Sequence, residues 1–447
     1  TTLARIIHRV EEAQDAKAKT QAFIDRFSKW YTPAVMVLAL AAGLISGDVV
    51  LGLTLLVIGC PGALVISIPV AIVAGIGRSA RNGILIKGGE YLETSAKISA
   101  VAVDKTGTLT EGRPVLTDIV VLNPEADRRE VLRWAAAAEA GSEHPLARPI
   151  LDTAREEGVA PEGLPGSVTP VVGKGIVADA HGKRVLIGNV PLLEQYGIVN
   201  DAGAAVAANK LAAAGKSPLI VAVDESVVGV IGVADTSRAD APEMIRRLHA
   251  SGVQKVVMLT GDTRLVAEAI GEAVGIDEIH ASLLPEDKLD AVARLQREGH
   301  TVAMVGDGVN DAPALATADI GVAMGAAGSA VAVETADIAL MGDNLLKLPE
   351  AISLAKRTVN VMRQNIWIAL ITVVVLLVGV FAGGVTMAIG MLVHEGSVLI
   401  VILNAMRLLR NTQGATALSR SERARAAHET GRPVEPATAQ SSSELPS

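Results

Sequence analysis

The heptad Asp104-Lys105-Thr106-Gly107-Thr108-Leu109-Thr110 couples one carboxylate to hydroxyls and a glycine, directly after the apolar run Ile98-Ser99-Ala100-Val101-Ala102-Val103. A buried strand that delivers an acid into a Gly/Thr loop suits phosphoryl transfer. The carboxylate attacks, backbone N–H groups and hydroxyls hold the phosphate oxygens, and Lys105 offsets charge. Three further clusters carry complementary chemistry. Thr260-Gly261-Asp262 follows the apolar Val256-Val257-Met258-Leu259 and opens a helix, so the Thr260 hydroxyl and the Gly261 N–H can hold phosphate at a helix N-terminus. Pro285-Glu286-Asp287-Lys288 starts another helix and offers Lys288 as the cation for a phosphoryl group. Val305-Gly306-Asp307-Gly308-Val309-Asn310-Asp311 again ends a strand in acids and glycines. Oxygen donors suit Mg²⁺, which makes Asp307, Asp104 and the Thr106 carbonyl the candidate metal site. A single strand–Gly–Asp turn is common in α/β proteins; four in this order are specific.

Such residues need a sheet to converge them. From about Gly88 to Arg363 the chain alternates β-branched runs (Val101–Val103, Leu219–Val223, Val256–Leu259, Val302–Val305, Ile320–Ala323) with Ala-rich helical stretches. That alternation predicts a parallel, doubly wound α/β sheet. Two apolar stretches lie on each side, 31–46 and 49–76 before it, 366–381 and 385–403 after it, near the length of membrane spans. Arg26, Lys29, Arg78, Arg81, Lys87, Lys356, Arg357, Arg363, Arg407 and Arg410 flank one set of ends, while the loops at Gly47-Asp48 and Gly383-Gly384 carry no Lys or Arg. By the positive-inside rule both hairpins enter from and return to the cytoplasm, in contact with membrane lipid. The 447 residues carry a net charge of −8 and no basic patch interleaved with aromatics, which excludes a nucleic-acid partner. A single cysteine excludes an intrachain disulfide framework. Residues 1–29 read as a charged amphipathic helix, and 411–447 as a disordered tail.

The apolar stretches hold chemistry of their own. Cys60-Pro61-Gly62 sets a thiol beside a helix-breaking proline, which frees carbonyls toward a bound ion. His394-Glu395-Gly396-Ser397 places an imidazole, a carboxylate and a hydroxyl within one helical turn, with His394 and Ser397 on one face. Ionisable groups in a span mark an ion pathway, so Cys60, His394, Glu395 and Ser397 are the candidate ligands of a transported ion. One sulfur with an imidazole and a carboxylate suits a borderline or harder divalent ion better than Cu⁺.

These motifs resemble those of the P-type ATPases, and the heptad resembles their phosphorylation signature. The resemblance implies a Rossmann-like, haloacid-dehalogenase-like phosphorylation domain (88–113 and 235–345) with an inserted α+β nucleotide-binding domain (114–234). It also implies α-helical transmembrane hairpins at 30–87 and 346–410. Asp104 would be the nucleophile, Thr260 and Lys288 would contact its phosphate, and Asp307 would hold Mg²⁺ supported by Asp311. Asp235-Thr236-Ser237-Arg238 resembles the hinge between the two domains. Ser142-Glu143-His144-Pro145 is similar to the signature of heavy-metal-transporting members. That likeness implies an ATP pocket with His144 and Pro145, Gly173 and Gly175 of Gly173-Lys174-Gly175, Glu139 and Gly188. Gly62 departs from the family's Cys-Pro-Cys or Ser-Pro-Cys, and His-Glu-Gly-Ser resembles the cobalt/zinc/iron-type subgroup. Zn²⁺, Cd²⁺ or Co²⁺ is therefore expected over Cu⁺. No actuator domain with its Thr-Gly-Glu loop is found, so residues 1–29 read as the linker after such a domain. The expected activity is ATP-driven heavy-metal efflux by a multi-pass protein of a bacterial plasma or inner membrane. A membrane-tethered dehalogenase-like phosphatase or phosphotransferase and a non-catalytic pump remnant are the alternatives.

Overall fold

The computed structural model describes residues 19–410 apart from 143, 145, 162, 199–201, 308–310, 326–333 and 335. The expectations for residues 1–18, Pro145 and the tail 411–447 lie outside the described residues.

The strands Val302–Gly306, Ala100–Asp104 and Lys255–Leu259 lie side by side and parallel, with Ala100–Asp104 in the middle. Ile320–Ala323 and Ile338–Leu340 extend the sheet on one side and Glu278–His280 on the other. The apolar runs are uninterrupted because both faces are covered. Val101, Val103, Val256, Met258 and Val305 pack into one core with the helices Ala241–Ala250 and Arg264–Val274. Ala100, Ala102, Val257, Leu259, Val302 and Met304 face the helices Pro285–Arg297 and Ala312–Thr317. Chain order reverses at the central strand, where carboxyl-end crevices form binding sites in open α/β sheets.

Two expectations need correction. Ile84–Ile86, assigned above to the first hairpin, pairs antiparallel with Ile338–Leu340 and forms the seventh strand of this sheet. The Leu219–Val223 run does not join the parallel sheet. It lies within Ser217–Val223 of a separate six-stranded antiparallel sheet built by residues 115–234. Its strands Ser217–Val223 and Ser226–Ala234 are also covered on both faces, by helices Arg128–Glu139 and Ala147–Glu156 on one side and Val190–Gln195 and Ala202–Ala213 on the other. Local pattern is the same in both sheets, so only pairing distinguishes them.

Among the described residues, four helices are long and apolar enough to cross a membrane. The first, Lys19–Ser46, is continuous from its charged end into the span. The second is broken at Cys60-Pro61 into Val49–Ile58 and Gly62–Arg81. Proline lacks the N–H that would continue the ladder and its ring clashes with the preceding turn. The Pro61 carbonyl instead starts the next helix by accepting from Val65 N (3.0 Å). The third, Lys347–Phe381, runs 35 residues, about 52 Å at helical rise, well beyond a bilayer core. Its first turns place Leu348, Ala351, Ile352 and Ala355 in the core of the parallel sheet. One rigid rod thus joins the sheet to the span, which packs with Gly62–Arg81 and Met387–Met406.

Candidate active site

Asp104 ends its strand with the residue 7% exposed. Parallel register sets it beside Leu259, and Val103 beside Val305. Thr260, Gly306 and Asp307 therefore emerge at the same carboxyl edge. The ammonium of Lys288, from the first turn of Pro285–Arg297, donates to Asp104 Oδ1 at 2.6 Å and to Asp311 Oδ1 at 2.7 Å. Gly306 is required for this: a Cβ there would lie 2.7 Å from Asp311 Oδ2. Gly107 takes φ +71° after an extended Thr106, turning the loop back so that position 107 faces the Asp307 side chain. Thr260 is buried, its hydroxyl accepting from Asp262 N (3.1 Å).

Electrostatics follow from this packing. Burial pushes the Asp104 carboxyl up to about 6, the Asp311 charge adds to the rise, and Lys288 opposes it. Burial works to lower the Lys288 pKa, but attraction to Asp104 and Asp311 prevails and holds it above the ordinary lysine value. Lys105, expected to offset the phosphate charge, has an acid of the neighbouring loop as its partner here. Its ammonium pairs with the Asp262 carboxylate, so Lys288 is the cation at Asp104. Asp104 and Asp311 share the one ammonium of Lys288, and Asp307 is close enough for its charge to add to the rise at Asp104. No three His, Cys, Asp or Glu side chains among the described residues converge as a ready metal cage. Mg²⁺ does not need one, since it binds through one or two carboxylates, waters and substrate phosphates. Charge and hard-oxygen chemistry both fit.

The expected nucleotide residues sit in the inserted α+β domain. Glu139 ends the Arg128–Glu139 helix, is 4% exposed and leaves Oε2 without a partner; burial raises its pKa despite the Ser142 contact. His144 is exposed, its Nδ1 accepting from Leu146 N (3.2 Å). Gly173 turns with φ +70° into open space. Gly175 and Gly188 are cross-strand partners, and a Cβ on either would lie 2.0–2.1 Å from a backbone carbonyl, of Ile187 or Lys174. They permit a close backbone approach rather than an open platform. Gly188→Ala is expected to cost about 2–3 kcal/mol through overpacking, read as a lowered melting temperature.

In the membrane region the structure divides the expected ion ligands. His394 and Ser397 face the helix bundle, buried, with Ser397 Oγ donating to the His394 carbonyl (2.6 Å). Cys60 and Glu395 are exposed, so the four side chains do not meet among the described residues. His394 Nδ1 has no partner. Its Nε2 lies 3.2 Å from where a Cβ on Gly62 would be, so the imidazole occupies the space that the missing side chain leaves. Sequence reading passed over Asn365, fully buried, whose amide donates to the Ser67 (3.4 Å) and Val401 (3.3 Å) carbonyls and accepts from Asn404 (2.8 Å). An amide at the start of an apolar span was the available signal.

A parallel sheet with an Asp, a Thr, a Lys and further acids at its carboxyl edge is the arrangement of a haloacid-dehalogenase-like domain. The haloacid dehalogenase-like hydrolase family model matches residues 98–319. The chain is 43% identical over 425 residues to a "Probable cadmium-transporting ATPase" of Staphylococcus aureus (strain MRSA252), covering 92% of this chain and 58% of that protein. It is 42% identical over 417 residues to a "Manganese-exporting P-type ATPase" of Mycobacterium tuberculosis (strain CDC 1551 / Oshkosh), covering 92% and 57%. A crystal structure of a zinc-transporting PIB-type ATPase in the E2.Pi state superposes with TM-score 0.68 at 43% identity, over 91% of this chain and 67% of that one. The chain belongs to the P-type ATPases, in their heavy-metal branch, and spans a little over half the length of the curated relatives it matches.

Proposed function

We propose that this chain carries the phosphorylation and part of the membrane pathway of an ATP-driven exporter of a divalent heavy metal. The observation that supports it best is the pair Asp104 and Asp311 sharing the Lys288 ammonium at the mouth of a sheet whose core continues into a membrane helix. An Asp104 oxygen bonds to the γ-phosphorus of ATP, the bond from that phosphorus to the β–γ bridging oxygen breaks, and ADP leaves. Lys288 and Thr260 balance the charge on the transferred group. Asp307, Asp104 and the Thr106 carbonyl would hold Mg²⁺, which when bound neutralises phosphate charge. Glu139 and His144, with Gly173, Gly175 and Gly188 shaping the surrounding backbone, serve ATP in the inserted domain.

The substrate ion is assigned to the helix break at Cys60-Pro61, where the buried imidazole of His394 is the nearest soft-to-borderline donor to Gly62. Relatives named for cadmium, manganese and zinc leave the choice among divalent ions to the site. Acid-stable phosphoenzyme formation from γ-labelled ATP tests the reading, and absence of label on Asp104 would refute it. Across a Cu⁺, Zn²⁺, Cd²⁺, Co²⁺ and Mn²⁺ panel, a divalent ion should stimulate turnover of the full-length protein. His394→Ala should reduce that stimulation by at least about tenfold, as loss of one metal-binding contact does, with labelling at Asp104 retained. Equal stimulation in the variant would remove His394 from the pathway.

A further inference from the structure

The residues that return from the inserted domain do more than connect. Arg238 lies just past the crossing, and its guanidinium reaches four carbonyls at once. Nε donates to Thr108 O (3.0 Å) and Thr110 O (3.1 Å), Nη2 to Gly107 O (3.4 Å), and Nη1 to Asp343 O (3.2 Å). Its backbone N–H donates to Leu109 O (2.9 Å). Three of the four side-chain acceptors belong to the loop that follows the nucleophile. The outgoing and returning segments are stitched together around it. Glu111 N donates to Thr236 O (2.9 Å), Thr110 pairs with Ser237 as an isolated bridge, and the Thr110 hydroxyl donates to Asp235 Oδ2 (2.5 Å). Asp235 Oδ1 also accepts from Arg113 N (3.1 Å).

We infer that Arg238 is a positioning residue for phosphoryl transfer, holding the Gly107–Thr110 carbonyls so that the Thr106–Gly107 peptide and Asp104 keep their reactive arrangement. The inference rests on the phosphotransfer reading above. Guanidinium is suited to the task, since it presents five donors in a rigid fork and its bonds to carbonyls are charge-assisted. An ammonium is a single point with three donors and cannot span the same acceptors. Because residues 114–234 are inserted between Thr110 and Arg238, a swing of that domain that shifts the returning segment drags the guanidinium and the loop with it. Arg238 thereby links the inserted domain's position to the geometry at Asp104.

The test uses the whole chain and three readouts: the phosphorylation rate at saturating ATP, the affinity for a non-hydrolysable ATP analogue, and amide hydrogen exchange without nucleotide. Arg238→Ala should slow phosphorylation about 100-fold, the effect of displacing a reactive group by an ångström or so. Analogue affinity should change less than about twofold, because none of the lost contacts involves a residue assigned to the nucleotide in the inserted domain. Exchange at Gly107–Thr110 should quicken at least about tenfold, while the inserted sheet is unaffected. Arg238→Lys should recover part of the rate, and Arg238→Gln, which keeps the stem and fewer donors, should recover less. These two variants carry the test if Arg238→Ala does not fold. A wild-type phosphorylation rate, or analogue affinity falling in parallel with it, would overturn the positioning role. So would unchanged exchange at Gly107–Thr110, whatever the labelling result. Absence of label in the unaltered chain would instead sink the phosphotransfer reading, with exchange still deciding whether Arg238 holds the loop.

Discussion

Asp104→Asn is expected to abolish acid-stable labelling from γ-labelled ATP and, in Mg²⁺-free buffer, to stabilise the chain. The amide cannot act as the nucleophile, so covalent phosphate is lost outright rather than slowed. Stabilisation follows from linkage. Burial first, then the Asp311 charge, raises the Asp104 pKa from 3.8 to about 6 in the folded chain. The fold therefore binds this proton more tightly than the unfolded chain does. Below the unfolded value both states are protonated and there is no penalty. Between about pH 4 and pH 6 stability is progressively lost, and above 6 the loss is complete. Asparagine is neutral throughout, so its advantage should be near zero at pH 4 and approach about 3 kcal/mol at pH 7.5, at 1.36 kcal/mol per unit. Thermal melts at the two pH values check this. Persistent labelling would move the nucleophile elsewhere; a pH-independent difference in melting would show that Asp104 is not held toward its protonated form.

Lys288→Ala should be the most damaging single change in the pocket. It leaves Asp104 and Asp311, with side chains 10% and 2% exposed, facing each other without their shared cation. Removing one partner of a buried ionic group costs about 3–5 kcal/mol. Loss of the phosphate contact adds about 10²–10³ in phosphorylation rate, as for other preorganised charge-stabilising donors. Lys288→Ala combined with Asp311→Asn separates the two effects. The double variant should regain most of the stability, because one stranded charge is gone, yet still phosphorylate slowly. If the double variant is as unstable as the single, electrostatic repulsion is not what Lys288 relieves.

The pocket was legible in sequence because each of its parts is announced locally. A strand covered on both faces must be apolar throughout, so Ala100–Val103 and Val302–Val305 advertise themselves and the acids after them mark the carboxyl edge. Pro285 at a helix start and acids in its first turn mark the element that presents Lys288. Other features were not legible. Lys105 reads as a counter-charge for phosphate until Asp262, brought alongside by the parallel register, claims its ammonium. Leu219–Val223 has the same composition as the strands of the parallel sheet but pairs in the inserted one. Arg238 looks like an ordinary hinge arginine, and its four carbonyl partners become visible only once residues 107–110, 238 and 343 are placed together.

The candidate membrane spans, the placing of Asp104 at a strand end and the order of the Gly/Asp/Lys motifs were legible in the chain alone, because hydrophobic run length, loop charge and strand-end chemistry act over a few neighbouring residues. Tertiary structure decided which charges neutralise one another and which donors share a face. His394 fills the space beside Gly62, more than three hundred residues away in the chain, while Glu395, its immediate neighbour, points outward. Helical periodicity separates adjacent side chains by about 100°, and only packing against a particular partner selects the one that turns inward.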